Sequence, residues 1–145
     1  MPKTDAFVQA LEDLIFQNVA LANIGTVAGL QPSSSAGSLY LSLHTASPGT
    51  TGNQATNEVS YTGYARVAVA RSSAGWTRSA DVTSLFATAN FPQCTGGSAT
   101  ATYAGIGTDS SGNGHLLYYG AITPSLAISN GITPQLTTGS TITES

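Results

Sequence analysis

The chain has 145 residues and a mass of 14.6 kDa, enough for one domain that buries a core without covalent staples. Charged residues make up only 8%, with four Lys and Arg against seven Asp and Glu for a net charge of −3. That excludes the clustered cations a nucleic-acid partner requires, and a hydrophobic content of 41% excludes a disordered chain.

Residues 4–24 carry the one sustained helical pattern. Thr4 or Asp5 can cap its start, because a side-chain oxygen there accepts from the free amides of the first turn. Phe7, Leu11, Leu14 and Ile15 follow the three-four spacing of one face, Val8, Phe16 and Val19 widen the stripe, and Gly25 is the expected stop. Glu12, Asp13, Gln17 and Asn18 interrupt this stretch, so it reads neither as a membrane span nor as a signal peptide. A helix this apolar on most sides is expected either to dock on a partner or to cover its own domain.

Residues 31–38, "QPSSSAGS", read as a linker. From Leu39 the period changes to two: "LYLSLHT" alternates Leu39, Leu41 and Leu43 with Tyr40, Ser42 and His44, which predicts a half-buried strand. A long turn-rich loop follows, then extended chain over 59–71 and a turn at 72–75 before Trp76. Further strands are expected near 82–91, 99–107, 115–122, 126–129 and 139–143, separated by turn-forming clusters. Asn130-Gly131 is the sharpest hairpin signal, since both residues tolerate positive φ. The sum predicts a mainly β chain: a helical arm with its linker over 1–36, then a jelly-roll-like antiparallel β-sandwich over 37–145. No fixed-period repeat or heptad marks a fibrous shaft.

Chemistry finds little support. There is no Gly-x-Ser-x-Gly elbow, phosphate loop, His-Glu-x-x-His or Ser-x-x-Lys. His44 and His115 are the only imidazoles; a set built on His115 and Asp109 would sit in one turn-rich stretch and reads better as a solvated loop. Glu58, Asp81 and Asp109 adjoin turns and read as exposed acids, not as a glycosidase pair. "DSSGNG" has one acid where a calcium loop needs several, so it reads as a hairpin turn. The single cysteine, Cys94, reads as a small buried filler. Tyr61, Tyr64, Trp76, Tyr103, Tyr118 and Tyr119 read as core or subunit contacts before a sugar platform. Arg66, Arg71 and Arg78 suit ion pairs or two-pronged grips on a partner's carboxylates. Neither a cofactor nor a metal is expected, nor a small-molecule ligand, a membrane or a nucleic acid.

Three segments, "LYLSLHTASPGTTGNQATNEVSYTGYARVAVARSSAGW", "FPQCTGGSATATYAGIGT" and "SLAISNGITPQLTTGSTIT", resemble a family of short tailed-bacteriophage virion proteins. Its members are commonly labelled tail fibre or minor structural proteins. The resemblance implies a non-enzymatic virion component made in the host bacterial cytoplasm. With no repeat for a long shaft, the size and β-rich plan are similar to those of head decoration proteins. The expected role is therefore a cement protein on the outer surface of the head. Its partners would be the major capsid protein and other copies of itself, as a dimer or trimer. A tail-fibre or baseplate component recognising host glycan is the alternative. The residues expected at partner contacts are Phe7, Leu11, Leu14, Ile15, Phe16, Val19, Arg66, Arg71, Arg78 and Tyr119.

Overall fold

The structure, a computed structural model, describes residues 1–144. It is mainly β, with 38% strand and 9% helix. A single helix, α1 (Asp5–Gln17), precedes nine strands among the described residues: β1 (Ser38–His44), β2 (Val67–Ala70), β3 (Trp76–Ser79), β4 (Val82–Leu85), β5 (Ala89–Asn90), β6 (Ser98–Gly107), β7 (Leu116–Ser129), β8 (Gln135–Leu136) and β9 (Thr141–Thr143). The strands form a four-stranded sheet in the order β2-β1-β6-β7, a three-stranded sheet β3-β4-β9 and a pair β5-β8. The β6/β7, β1/β6, β3/β4, β4/β9 and β5/β8 pairs are antiparallel. The mainly β class with an N-terminal helix and antiparallel sheets is as expected; among the described residues the sheets have four, three and two strands.

Two compact units share the chain. One holds residues 1–38 and 69–88 with the C-terminal stretch from Thr137; the other holds 39–68 and 89–136. The compositional boundary at residue 36 falls close to the first crossing, but the chain crosses between units three more times. Composition registers the linker; it does not register which distant strands return to the helix.

In the first unit α1 buries Val8, Glu12 and Phe16, a row at four-residue spacing. Phe16 packs on Trp76 with ring centroids 4.8 Å apart and planes tilted by 56°. The helix stops at Asn18, whose φ of 57° is left-handed, and the Val19 N–H folds back to the Asp13 carbonyl at 3.1 Å. Gly25 therefore lies beyond the helix, in a loop tied by a bridge between Leu21 and Leu30. Thr4 occupies the cap position with extended backbone but makes no side-chain cap.

In the second unit β1 lies between β2 and β6, and its second half is enclosed on both faces: Ser42 and His44 are as buried as Leu41 and Leu43. Val59, Tyr61, Phe91, Cys94, Ala101 and Ile128 complete this core. The expected strands at 115–122 and 126–129 are one strand, β7, paired with β6 on either side of an irregularity at 122–125. The Asn130-Gly131 turn is present, closed by Ile132 N–H on the Ser129 carbonyl at 2.9 Å. It does not make the expected hairpin, because β8 pairs with β5, and Gly131 N–H reaches the Cys94 carbonyl at 2.7 Å.

Candidate functional site

The densest polar cluster of the second unit gathers Glu58, Tyr64, Arg66 and Gln54 beneath the 108–115 loop. Arg66 grips Glu58 with both prongs, Nε to Oε1 and Nη2 to Oε2, each at 2.7 Å. The same guanidinium donates to the Asp109 carbonyl at 3.0 Å and the Gly112 carbonyl at 2.7 Å. Tyr64 donates its hydroxyl to Glu58 at 2.8 Å and accepts the Leu43 N–H at 3.1 Å. Gln54 Oε1 accepts the Asp109 N–H at 2.9 Å, and the Gln54 amide is wedged so tightly that a Cβ at Gly107 would meet it at 2.1 Å. The Glu58 hydrogen bond holds the Arg66 guanidinium above its ordinary value, and burial pushes the Tyr64 phenol up. This is a charge-assisted clamp on backbone carbonyls. It fixes a loop whose Ser110, Ser111, Asn113 and His115 are exposed.

A second arrangement resembles a nucleophile and its base. Ser42 Oγ lies 2.8 Å from His44 Nε2, and His44 Nδ1 lies 2.8 Å from the Thr56 carbonyl. The carbonyl can only accept, so Nδ1 carries the proton and Nε2 accepts from the serine hydroxyl. Burial lowers the His44 pKa, which keeps the ring neutral. The pair has no water-facing surface, and a Cβ at Gly105 would sit 2.7 Å from Ser42 Oγ and 2.8 Å from His44 Nε2. The third group is a backbone carbonyl where a hydrolase uses a carboxylate. The geometry is that of a satisfied core histidine.

The residues expected at partner contacts are placed as follows. Phe7, Val19 and Tyr119 are exposed, while Leu11, Leu14 and Ile15 are half-buried. Phe16 is corrected: it faces Trp76 inside the first unit and is unavailable to a partner. The helix turns inward the row beside the one its spacing suggests, because Glu12 sits in that row and disguises it. The arginines are corrected as well. Arg66 is buried against Glu58. Arg78 grips Asp13 of α1 with two prongs at 2.6 and 2.9 Å, which raises its pKa. Arg71 reaches the free carbonyls of the last helical turn, Leu14 at 2.6 Å and Ile15 at 2.7 Å, and the Ala36 carbonyl at 3.2 Å. A helix with no basic residue in its own last turn thus receives a cation from a distant part of the chain.

With Lys3 paired to Glu144, each of the four cations has an intramolecular partner. Glu58 is likewise not the exposed acid its turn context suggests. Sequence reasoning missed Gln54, His44 and Glu12 as buried polar groups, since nothing in their local pattern departs from a polar surface. It also missed the exposed apolar residues Ile24, Val27, Leu30, Phe86 and Leu117. Among the described residues no cluster of His, Cys, Asp or Glu could hold a metal, and no helix is long and apolar enough to cross a membrane.

Residues 8–144 match the family model described as podophage GP4 fiber I protein gp80, and the chain belongs to that family. It is a bacteriophage virion structural protein of fibre type. No curated protein matches it.

Proposed function

We propose that the chain is a non-catalytic subunit of a phage tail fibre that works by adhesion to other virion chains. The observation that carries this reading is the commitment of its reactive side chains to its own fold. The Ser42–His44 pair is sealed, and the cations clamp Glu58, Asp13, Glu144 and backbone carbonyls. Low charge suits such a role, because apolar and hydrogen-bonded contacts resist salt better than surface ion pairs do. A head decoration protein gripping the major capsid protein is the second reading. It is favoured by the absence from the sequence of any heptad or repeat that would build a shaft.

Gold-labelled antibody against the exposed 108–115 loop, applied to purified virions, separates the two. The fibre reading expects label at the tail and a handful of copies per particle. Label spread over the head with hundreds of copies establishes the decoration reading instead. Label on neither overturns both.

A further inference from the structure

β7 ends the four-stranded sheet, and among the described residues no strand pairs with its outer edge. It is 14 residues long, carries no charge, and has a single buried side chain, Ile128. Soluble proteins ordinarily blunt such an edge with charge, brevity or cover. The other sheet edges of this chain show those devices. β2 has four residues and runs directly into Arg71; β3 carries Arg78; β9 has three residues and is followed by Glu144. β7 lacks them over 117–121, "LYYGA". Register shifts against β6 bound this window: one lies beyond Ala121, between the partners of Ala101 and Tyr103, and the other falls at Leu117 itself, between those of Ile106 and Gly107. Pro124, which has no N–H to donate, lies beyond it.

We propose that this window pairs edge to edge with the same window of a second copy of this chain, about a two-fold axis through Tyr119. The occupant is argued from the window itself. An antiparallel two-fold pairing sets Tyr119 opposite Tyr119, Tyr118 opposite Gly120 and Leu117 opposite Ala121, a large side chain facing a small one on each flank. Nothing lies within 4 Å of where a Cβ at Gly120 would be, which leaves room for a partner's aromatic ring. Leu117 is 42% exposed and Tyr119 38%, so both have apolar area to bury. With no charge on the strand, identical copies meet without repulsion. The flanking irregularities limit pairing to one register, so the contact closes at two copies and does not propagate. A window of roughly 17 Å of strand makes a contact below standard size, so the dimer is concentration-dependent in solution. In a virion it is reinforced by the neighbouring contacts of each copy. The proposal holds for a fibre or a head location alike.

Sedimentation equilibrium of the full chain from micromolar to near-millimolar concentration tests it, with Y119K and Y119E as variants and circular dichroism to confirm their folding. The wild type should pass from monomer to dimer. Each variant alone should dimerise about tenfold more weakly or not at all, because like charges face each other on the axis. An equimolar mixture of the two should recover the dimer. A wild type that stays monomeric, a dimer indifferent to either variant, or a mixture without recovery overturns the proposal. Should a variant unfold, oxidised Y119C takes its place. A covalent dimer on a non-reducing gel supports the two-fold register, and none contradicts it.

Discussion

The two units treat buried polarity in opposite ways. In the second, the enclosed groups are mostly answered: Ser42 and His44 hydrogen-bond each other, Arg66 is paired twice over, and only the Gln54 amide nitrogen is left without a partner. In the first, the Glu12 carboxyl is enclosed in the helix row with the Thr83 hydroxyl as its neighbour but no well-formed hydrogen bond between them, and the Trp76 indole nitrogen is orphaned. Satisfied polar groups specify one arrangement, whereas orphaned ones cost stability at their site. The second unit is accordingly built around a polar clamp. The first is built on Phe16 and Trp76 and carries Glu12 as a liability.

The largest test is Phe16→Ala, which removes the aromatic contact with Trp76 and leaves a cavity. It should cost about 4 kcal/mol in urea unfolding. Next, Arg66→Ala leaves Glu58 without its cation, held only by the Tyr64 hydroxyl, with 17% of its side chain exposed. The expected loss is about 3 kcal/mol, the low end for breaking a buried pair, with faster amide exchange at Asp109. Arg71→Ala strips the last turn of α1 of its cation and should cost about 1–2 kcal/mol, with fraying visible in the exchange of the Phe16 and Gln17 amides. A loss from Arg66→Ala no larger than that from Arg71→Ala would erase the contrast between the units.

The pH dependence sharpens the same comparison, because the units respond with opposite signs. Burial raises the Glu12 pKa above 4.5, outweighing the pull of Thr83 and Arg78. The native state then holds a proton that the unfolded chain releases, so this contribution to stability falls as pH rises from 4.5 through the raised native value. Glu12→Gln removes that slope and should gain about 1 kcal/mol at pH 7. His44 acts the other way. Its native pKa lies below 6.5, so the unfolded chain takes up the extra proton and stability falls as pH drops from 6.5 through the lowered value.

Much of the chain was legible residue by residue, and the illegible part has a common cause. The helix start, strand β6, the Asn130-Gly131 turn and the buried Cys94 all follow from local pattern. Pairing does not, since β8 joins β5 across more than forty residues of chain on the strength of core contacts at Ala89 and Leu136. The arginines were read as ion pairs or as grips on a partner; the ion pairs of Arg66 and Arg78 are present, and what the sequence hid was their other contacts. Their partners include the backbone carbonyls of Leu14, Ile15, Asp109 and Gly112, which carry no signature in side-chain spacing. His44 looked solvated because alternation assumes one wet face, and β1 is enclosed on both from Leu41 to His44.

The central claim is that side chains resembling a reactive set are fixtures of the fold. Nitrogen-15 NMR of the His44 ring, followed from pH 8 to pH 5, tests it most directly. The account predicts a neutral ring with the proton on Nδ1 that stays neutral below pH 6.5. A ring that protonates at 6.5 or above, or that carries its proton on Nε2, would contradict it and return the Ser42–His44 pair to the candidates for catalysis.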